Sequence, residues 1–145
     1  MRVSMRADYG VRAMTDLAMR YGQGPAQSAD VARRQYIPGV YLDQVFTALR
    51  KAGLVRSTRG PQGGHELARP PQAINMAEIV AALDGPPHLL DCLENAASCE
   101  LSPVCSQRVV WRRARAAIQA TLDGVSLADL AADMRDAQHR PAYSI

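Results

Sequence analysis

The chain has 145 residues, 48% of them hydrophobic, and is one domain in size, long enough to bury a core without disulfides or metals as staples. No stretch approaches the roughly 18 apolar residues that span a bilayer, and the charged start from Met1 to Tyr9 lacks the apolar segment of a secretory signal; a membrane protein is excluded and a cytoplasmic one with reduced thiols is expected. The net charge of +3 is uneven, because residues 1–69 carry eleven Lys/Arg against five Asp/Glu and residues 70–145 carry six against nine, so the front half is where a polyanion would bind.

In chain order, Met14, Leu17, Ala18 and Tyr21 fall at i, i+3, i+4 and i+7 and predict a first helix from about Ser4, a suitable N-cap, to Tyr21. Gly22-Gln23-Gly24-Pro25 stops it, and Ser28 is expected to cap a short second helix to about Gln35. After a tight break at Tyr36–Gly39, Leu42, Val45, Phe46 and Leu49 repeat at helical spacing, with Gly53 as a left-handed closing cap. The period then changes to that of two strands, Leu54–Thr58 and His65–Ala68, joined by Arg59-Gly60-Pro61-Gln62-Gly63-Gly64. Asn75 and Glu78 form a capping box for a fourth helix that buries Ile79, Val80 and Leu83 and ends at Asp84-Gly85-Pro86-Pro87. An irregular segment, His88–Cys105, holds all three cysteines, and long loops in compact domains are usually functional or disordered. The longest helix follows, about 104–122, with Gly124 after it; Ser126 and Asp129 cap a last short helix, and the tail from Gln138 reads as unstructured. The predicted fold is mainly α with a small β-hairpin wing, a winged helix-turn-helix plus a long dimerisation helix. Its parts are a DNA-binding head (1–85), a cysteine loop (86–105), the dimerisation and C-terminal helices (106–137) and a flexible tail (138–145).

In a winged helix-turn-helix the second helix of the motif enters the major groove with its N-terminal residues on base edges. Charge alone fits a solvated arginine-rich surface equally well, and a polar helix face is the bland alternative. With Leu42, Val45, Phe46 and Leu49 turned inward, the third helix presents Gly39, Val40, Tyr41, Asp43, Gln44, Thr47 and Arg50 outward. Gln44 is the best base reader, since its amide can pair with adenine bidentately; Tyr41 can reach a phosphate or thymine methyl, and Asp43 can accept from cytosine. Ser28, at the head of the second helix, joins this set. In the wing, Arg59, Gly60 and Pro61 lead a loop of small residues, so a guanidinium can enter the minor groove. A nucleotide site is set aside because the glycines lack the Gly-x-x-x-x-Gly-Lys pattern and do not lead from a strand into a helix.

Cys92, Cys99 and Cys105 are spaced C-x6-C-x5-C. Thiolates are the soft ligands of iron-sulfur clusters, whereas zinc usually takes Cys-x2-Cys pairs; a thiol redox switch and incidental buried thiols stay open. His65, His88 and His139 lie far apart in sequence and form no nucleophile constellation, so no enzyme is expected.

With Tyr9-Gly10-Val11-Arg12-Ala13-Met14, Tyr41-Leu42-Asp43-Gln44-Val45-Phe46, Leu49-Arg50-Lys51-Ala52-Gly53-Leu54-Val55, the Arg59–Gly64 wing, the three cysteines and Trp111, the sequence resembles the Rrf-two family of bacterial regulators over about residues 1–130, in particular its IscR- and NsrR-like members. The resemblance implies a homodimer on a palindromic operator, with the long helix crossing its partner, and an iron-sulfur cluster. A second copy also answers the small interface of one head, and Val110, Trp111, Ala114, Ala117 and Ile118 are the candidate dimer residues; packing of that face on its own domain is the alternative. IscR-like members complete the ligand set with a histidine where this chain has Arg108, which counts against a 2Fe-2S site of that type. NsrR-like members use an aspartate from the partner subunit, matched here by Asp8, which favours a 4Fe-4S cluster. Asp91, Glu94, Glu100 and His88 compete as ligands, and Asp8 can equally serve the dipole of the first helix. The rival functions are a cluster-free thiol regulator of the same fold and an iron-sulfur carrier or assembly partner.

Overall fold

A computed structural model of the chain describes residues 1–142. Its helices are α1 (Met5–Met19), α2 (Ser28–Gln35), α3 (Gly39–Lys51), α4 (Met76–Asp84), α5 (Asp91–Glu94), α6 (Arg108–Asp123) and α7 (Leu127–His139), with a hairpin of β1 (Val55–Thr58) and β2 (Gly64–Leu67) between α3 and α4. No helix among the described residues is long and apolar enough to cross a membrane.

Helix α1 is the hub, packed against α2, α3, α4 and α7. Ser4 caps it by accepting from the Ala7 N–H. It stops at Met19 rather than Tyr21, whose ring is left half exposed. Its crossing with α4 is close because Gly10 has no side chain: a Cβ there would lie 2.0 Å from Leu83 Cδ1.

Ser28 is the first helical residue of α2 and not its cap; Gln27 holds the N-cap position without a side-chain bond. In α3 the four expected apolar residues, Leu42, Val45, Phe46 and Leu49, are all buried. The helix closes in a Schellman motif: Gly53, at φ 74°, donates to the Arg50 carbonyl and Leu54 to the Leu49 carbonyl, both at 3.0 Å.

The hairpin pairs Val55 with Leu67 and Thr58 with Gly64, so each strand begins one residue away from its expected start. Ala26 exchanges two backbone hydrogen bonds with His65, 2.9 and 2.8 Å, and pins the hairpin to the segment before α2. Only glycine fits at Gly64, where a Cβ would sit 2.4 Å from the Ala26 carbonyl oxygen.

Both expected capping boxes form, at Asn75/Glu78 on α4 and Ser126/Asp129 on α7. The two helix starts are joined, with Met76 donating to the Val125 carbonyl and Leu127 to the Ile74 carbonyl. Leu127 and Ala131 carry α7 into the core beside α1. This burial extends α7 to thirteen residues, ending at His139, so Gln138 and His139 are helical rather than tail. Residues 140–142 follow it without helix, and the rest of the expected tail, 143–145, lies outside the described residues.

The cysteine segment is more ordered than expected. Leu93 is buried, α5 packs on α6, and the Asn95 side chain accepts from the Ala97 N–H to start a 3-10 turn at Ala96–Ser98. Helix α6 begins at Arg108, four residues later than predicted, because turns occupy the segment before it. It is the longest helix, at 16 residues, and none of its residues is buried.

Candidate nucleic-acid interface and cysteine loop

The outward face of α3 carries Gly39, Val40, Tyr41, Asp43, Gln44 and Arg50, all exposed, with Val40 at 76%. Thr47 is half-buried, and its hydroxyl donates to the Asp43 carbonyl at 2.8 Å, so that donor is already used. Asp43, Gln44 and Thr47 line a concavity of about 450 Å³ whose remaining walls include Arg6 of α1 and Lys51. Neither cation was singled out in the sequence, because only the packing of α1 on α3 brings Arg6 beside this face.

A buried carboxylate ties the end of α2 to α1. Asp16 on α1 is 2% exposed and accepts from Arg34 Nε at 3.0 Å, Arg34 Nη2 at 2.7 Å and Gln35 Nε2 at 3.1 Å. The hydrogen bond to Asp16 raises the Arg34 pKa further above its already high ordinary value. One turn earlier on the same face of α1, Arg12 pairs with Asp8, donates to the Gln35 carbonyl at 3.3 Å and lies 5.5 Å over the Tyr9 ring. The Tyr9 ring is in turn 6.0 Å from that of Tyr41. Asp8 is thus two contacts from the end of α2 and three from the recognition helix.

In the wing, Arg59, Gly60 and Pro61 are exposed. Gln27 Nε2 donates to the Pro61 carbonyl at 3.0 Å, and His65 braces the base. Its two ring nitrogens bond Ser28 Oγ at 2.9 Å and Ser57 Oγ at 2.7 Å, and the ring stacks on Phe46 with centroids 4.0 Å apart. Burial, then the charge of Arg50, lowers the His65 pKa against an opposing pull from Asp43. The expected groove residue Ser28 therefore has its hydroxyl engaged within the head. Sequence reasoning missed this brace because no local spacing links Ser28, Ser57, His65 and Phe46.

Cys92, Cys99 and Cys105 are unpaired and half-buried. Close in sequence, they are not gathered in space: among the described residues no three Cys, His, Asp or Glu side chains come together as a cage for a metal. Their chemistry nevertheless suits a soft metal. The buried Ser102 hydroxyl has no partner, and it lines a concavity of about 370 Å³ with Cys99, Glu100 and Arg108. Arg108, at the position of the IscR-like histidine, instead straps the loop to α6, donating from Nε and Nη2 to the Cys92 carbonyl at 3.1 and 2.9 Å. Of the competing ligands, Glu94 pairs with Arg115, and His88 with Asp91 at 2.9 Å.

Helix α6 touches α4 and α5 and carries the candidate stripe of Val110, Ala114, Ala117 and Ile118, flanked by Trp111. Val110 is 62% and Trp111 40% exposed; Ala114 and Ile118 are half-buried and Ala117 is exposed.

Comparison with known proteins bears on this geometry. The model of the family described as Rrf2, iron-dependent transcriptional regulator, matches residues 3–133. The HTH-type transcriptional regulator IscR of Aliivibrio salmonicida is 37% identical over 133 residues, 92% of this chain and 79% of that protein. The solved structure of T. potens IscR superposes with a TM-score of 0.79 at 36% identity, covering 99% of this chain and 95% of that one. That of CymR, the global cysteine regulator of B. subtilis, gives 0.77 at 33% identity, covering 92% and 98%.

Proposed function

Since the chain belongs to the Rrf2 family of iron-dependent transcriptional regulators, we propose that it is a homodimeric DNA-binding regulator whose grip on a palindromic operator is set by an iron-sulfur cluster. The observation that carries this reading is the joint exposure of Gln44 on α3 and Arg59 on the wing, on the half of the chain with the excess of positive charge. Helix α3 enters the major groove, where Gln44 pairs with an adenine edge and Tyr41 and Val40 meet thymine methyls or sugar; Gly39 allows close approach, and Asp43 and Arg50 flank the reading face. Arg59 enters the minor groove behind Gly60 and Pro61. The exposed part of the α6 stripe, Val110, Trp111 and Ala117, packs on a second copy, which gives two heads for two half-sites.

Cys92, Cys99 and Cys105, with Asp8 of the partner subunit, would hold a 4Fe-4S cluster. Bound there, the cluster supplies an iron that nitric oxide or oxygen can attack. The thiols must close on it, since they stand apart in the structure. A carboxylate is a harder and more weakly held ligand than thiolate on such an iron. Released, Asp8 pairs with Arg12, which holds the Gln35 carbonyl immediately before the turn into α3. Ligation thus competes with a contact that positions the reading head.

The test is anisotropy of a fluorescent duplex from upstream of the chain's own gene, titrated at several salt concentrations. Gln44→Ala should cost about 1–3 kcal/mol on the operator alone, and Arg59→Ala should lower the salt slope by about one. Variants that bind like wild type would remove both residues from the interface. A second reading, a cluster-free thiol switch on the same cysteines, is supported by the likeness to CymR, the global cysteine regulator of B. subtilis. It predicts protein prepared without air that is colourless and iron-free yet binds DNA differently after oxidation.

A further inference from the structure

Among the described residues, Tyr36 is the one non-glycine residue with positive φ, at 53° with ψ 44°. It closes α2 as a left-handed cap, a position glycine fills without strain. The turn does not use its side chain. The cap is made by the backbone, with the Tyr36 and Ile37 N–H groups both reaching the Ala32 carbonyl, and the burial behind it is supplied by Ile37 at 4% exposure. The Tyr36 side chain is 88% exposed, more than any other large hydrophobic residue described. A strained backbone here therefore supports an aromatic ring that the fold leaves in solvent. Strain of this kind, held where folding gains nothing from it, is what an interaction site shows.

The surroundings indicate the partner. Pro38 and Gly39 follow, and Val40 and Tyr41, 76% and 56% exposed, continue an apolar and aromatic strip into the first turn of α3. A Cβ placed on Gly39 would meet nothing within 4 Å, so this corner is open to close approach. It lies in the basic half of the chain, with Arg33 exposed nearby on α2.

We propose that Tyr36 is a DNA-backbone contact, its ring resting on a deoxyribose and its hydroxyl donating to a phosphate oxygen beside the half-site read by α3. This rests on the DNA-binding reading above. A neutral donor to phosphate adds affinity without sequence preference and without releasing a counterion. The expected signature follows. Tyr36→Gly should bind duplex roughly tenfold more weakly, as for a lost bond to a charged group. The loss should be equal on operator and scrambled duplex, with the salt slope unchanged. Because glycine relieves the left-handed backbone, the same variant should unfold at an equal or higher temperature than wild type. Tyr36→Phe, which keeps the ring, should fall between the two in affinity.

The experiment is anisotropy of wild type, Tyr36→Gly, Tyr36→Phe and Gln44→Ala on both duplexes, with a thermal melt of each protein. If Gln44→Ala loses operator preference while Tyr36→Gly binds within twofold of wild type, Tyr36 is not a contact and the DNA reading survives. A lowered melting temperature in Tyr36→Gly alongside weaker binding would make the residue structural and overturn the proposal. Wild type indifferent to both duplexes would overturn this proposal and the DNA reading together.

Discussion

Asp16 shows how a single carboxylate ties two helices of a reading head. It satisfies two donors of Arg34 and one of Gln35 from a position 2% exposed, and Arg20, just past the end of the same helix, lies 3.7 Å away. Removing one partner of such a network leaves buried charge unpaired, and that costs more than the pair itself contributes. Asp16→Ala should lose about 3 kcal/mol of unfolding free energy in urea with the slope unchanged, and a loss below about 1 kcal/mol would mean that Arg34 finds water instead. Asp16 was not legible in the sequence. It lies off the Met14, Leu17, Ala18 stripe and reads as solvent-facing; it is buried because α1 is surrounded by α2, α3, α4, α7 and β2, and a single apolar stripe accounts for only one of its sides.

Helix α3 and the wing were largely legible, because their signals are local. Four apolar residues at helical spacing define the buried face of α3, and Gly53 ends it by backbone conformation alone. What holds the wing to α3 depends on residues far apart in sequence. His65 touches Ser28, Ser57 and Phe46, and Ala26 pairs with its backbone. Burial followed by the charge of Arg50 lowers its pKa in the folded state, against the pull of Asp43. Above the unfolded value of about 6.5 the ring is neutral in both states and stability does not depend on it. As pH falls below that value the unfolded chain takes up the proton first, so stability is lost down through the lowered folded pKa. His65→Phe keeps the stack on Phe46 without the titration. It should flatten the slope of stability against pH below about 6.5 relative to wild type, as read by urea midpoints. Equal slopes would assign the dependence to other groups.

Across the whole molecule, the sequence located three thiols and an apolar stripe, but not how the fold would place them. The three cysteines fall within fourteen residues, yet the folded chain strings them along α5, a 3-10 turn and the approach to α6, with Arg108 and Arg115 strapping that path. Periodicity also could not tell whether α6 packs on its own head or on another; the structure sets it against α4 and yet leaves none of its residues buried. If a second copy covers it, Ile118→Asp should give a folded monomer by sedimentation velocity, with operator affinity at least about tenfold weaker because one head now reads one half-site. A dimer that persists in this variant would place the interface elsewhere.

The proposed coupling of the thiol-bearing loop to DNA binding is tested by one titration. Protein purified without air is added to a fluorescent duplex from upstream of its own gene, before and after the iron is removed by a chelator under the same anaerobic conditions. Coloured, iron-containing protein should differ from its iron-free form by about fivefold or more in affinity, the size of an ordinary coupling between two sites. Identical affinities, or protein that emerges without iron and sulfide, would separate the cysteines from the control of DNA binding.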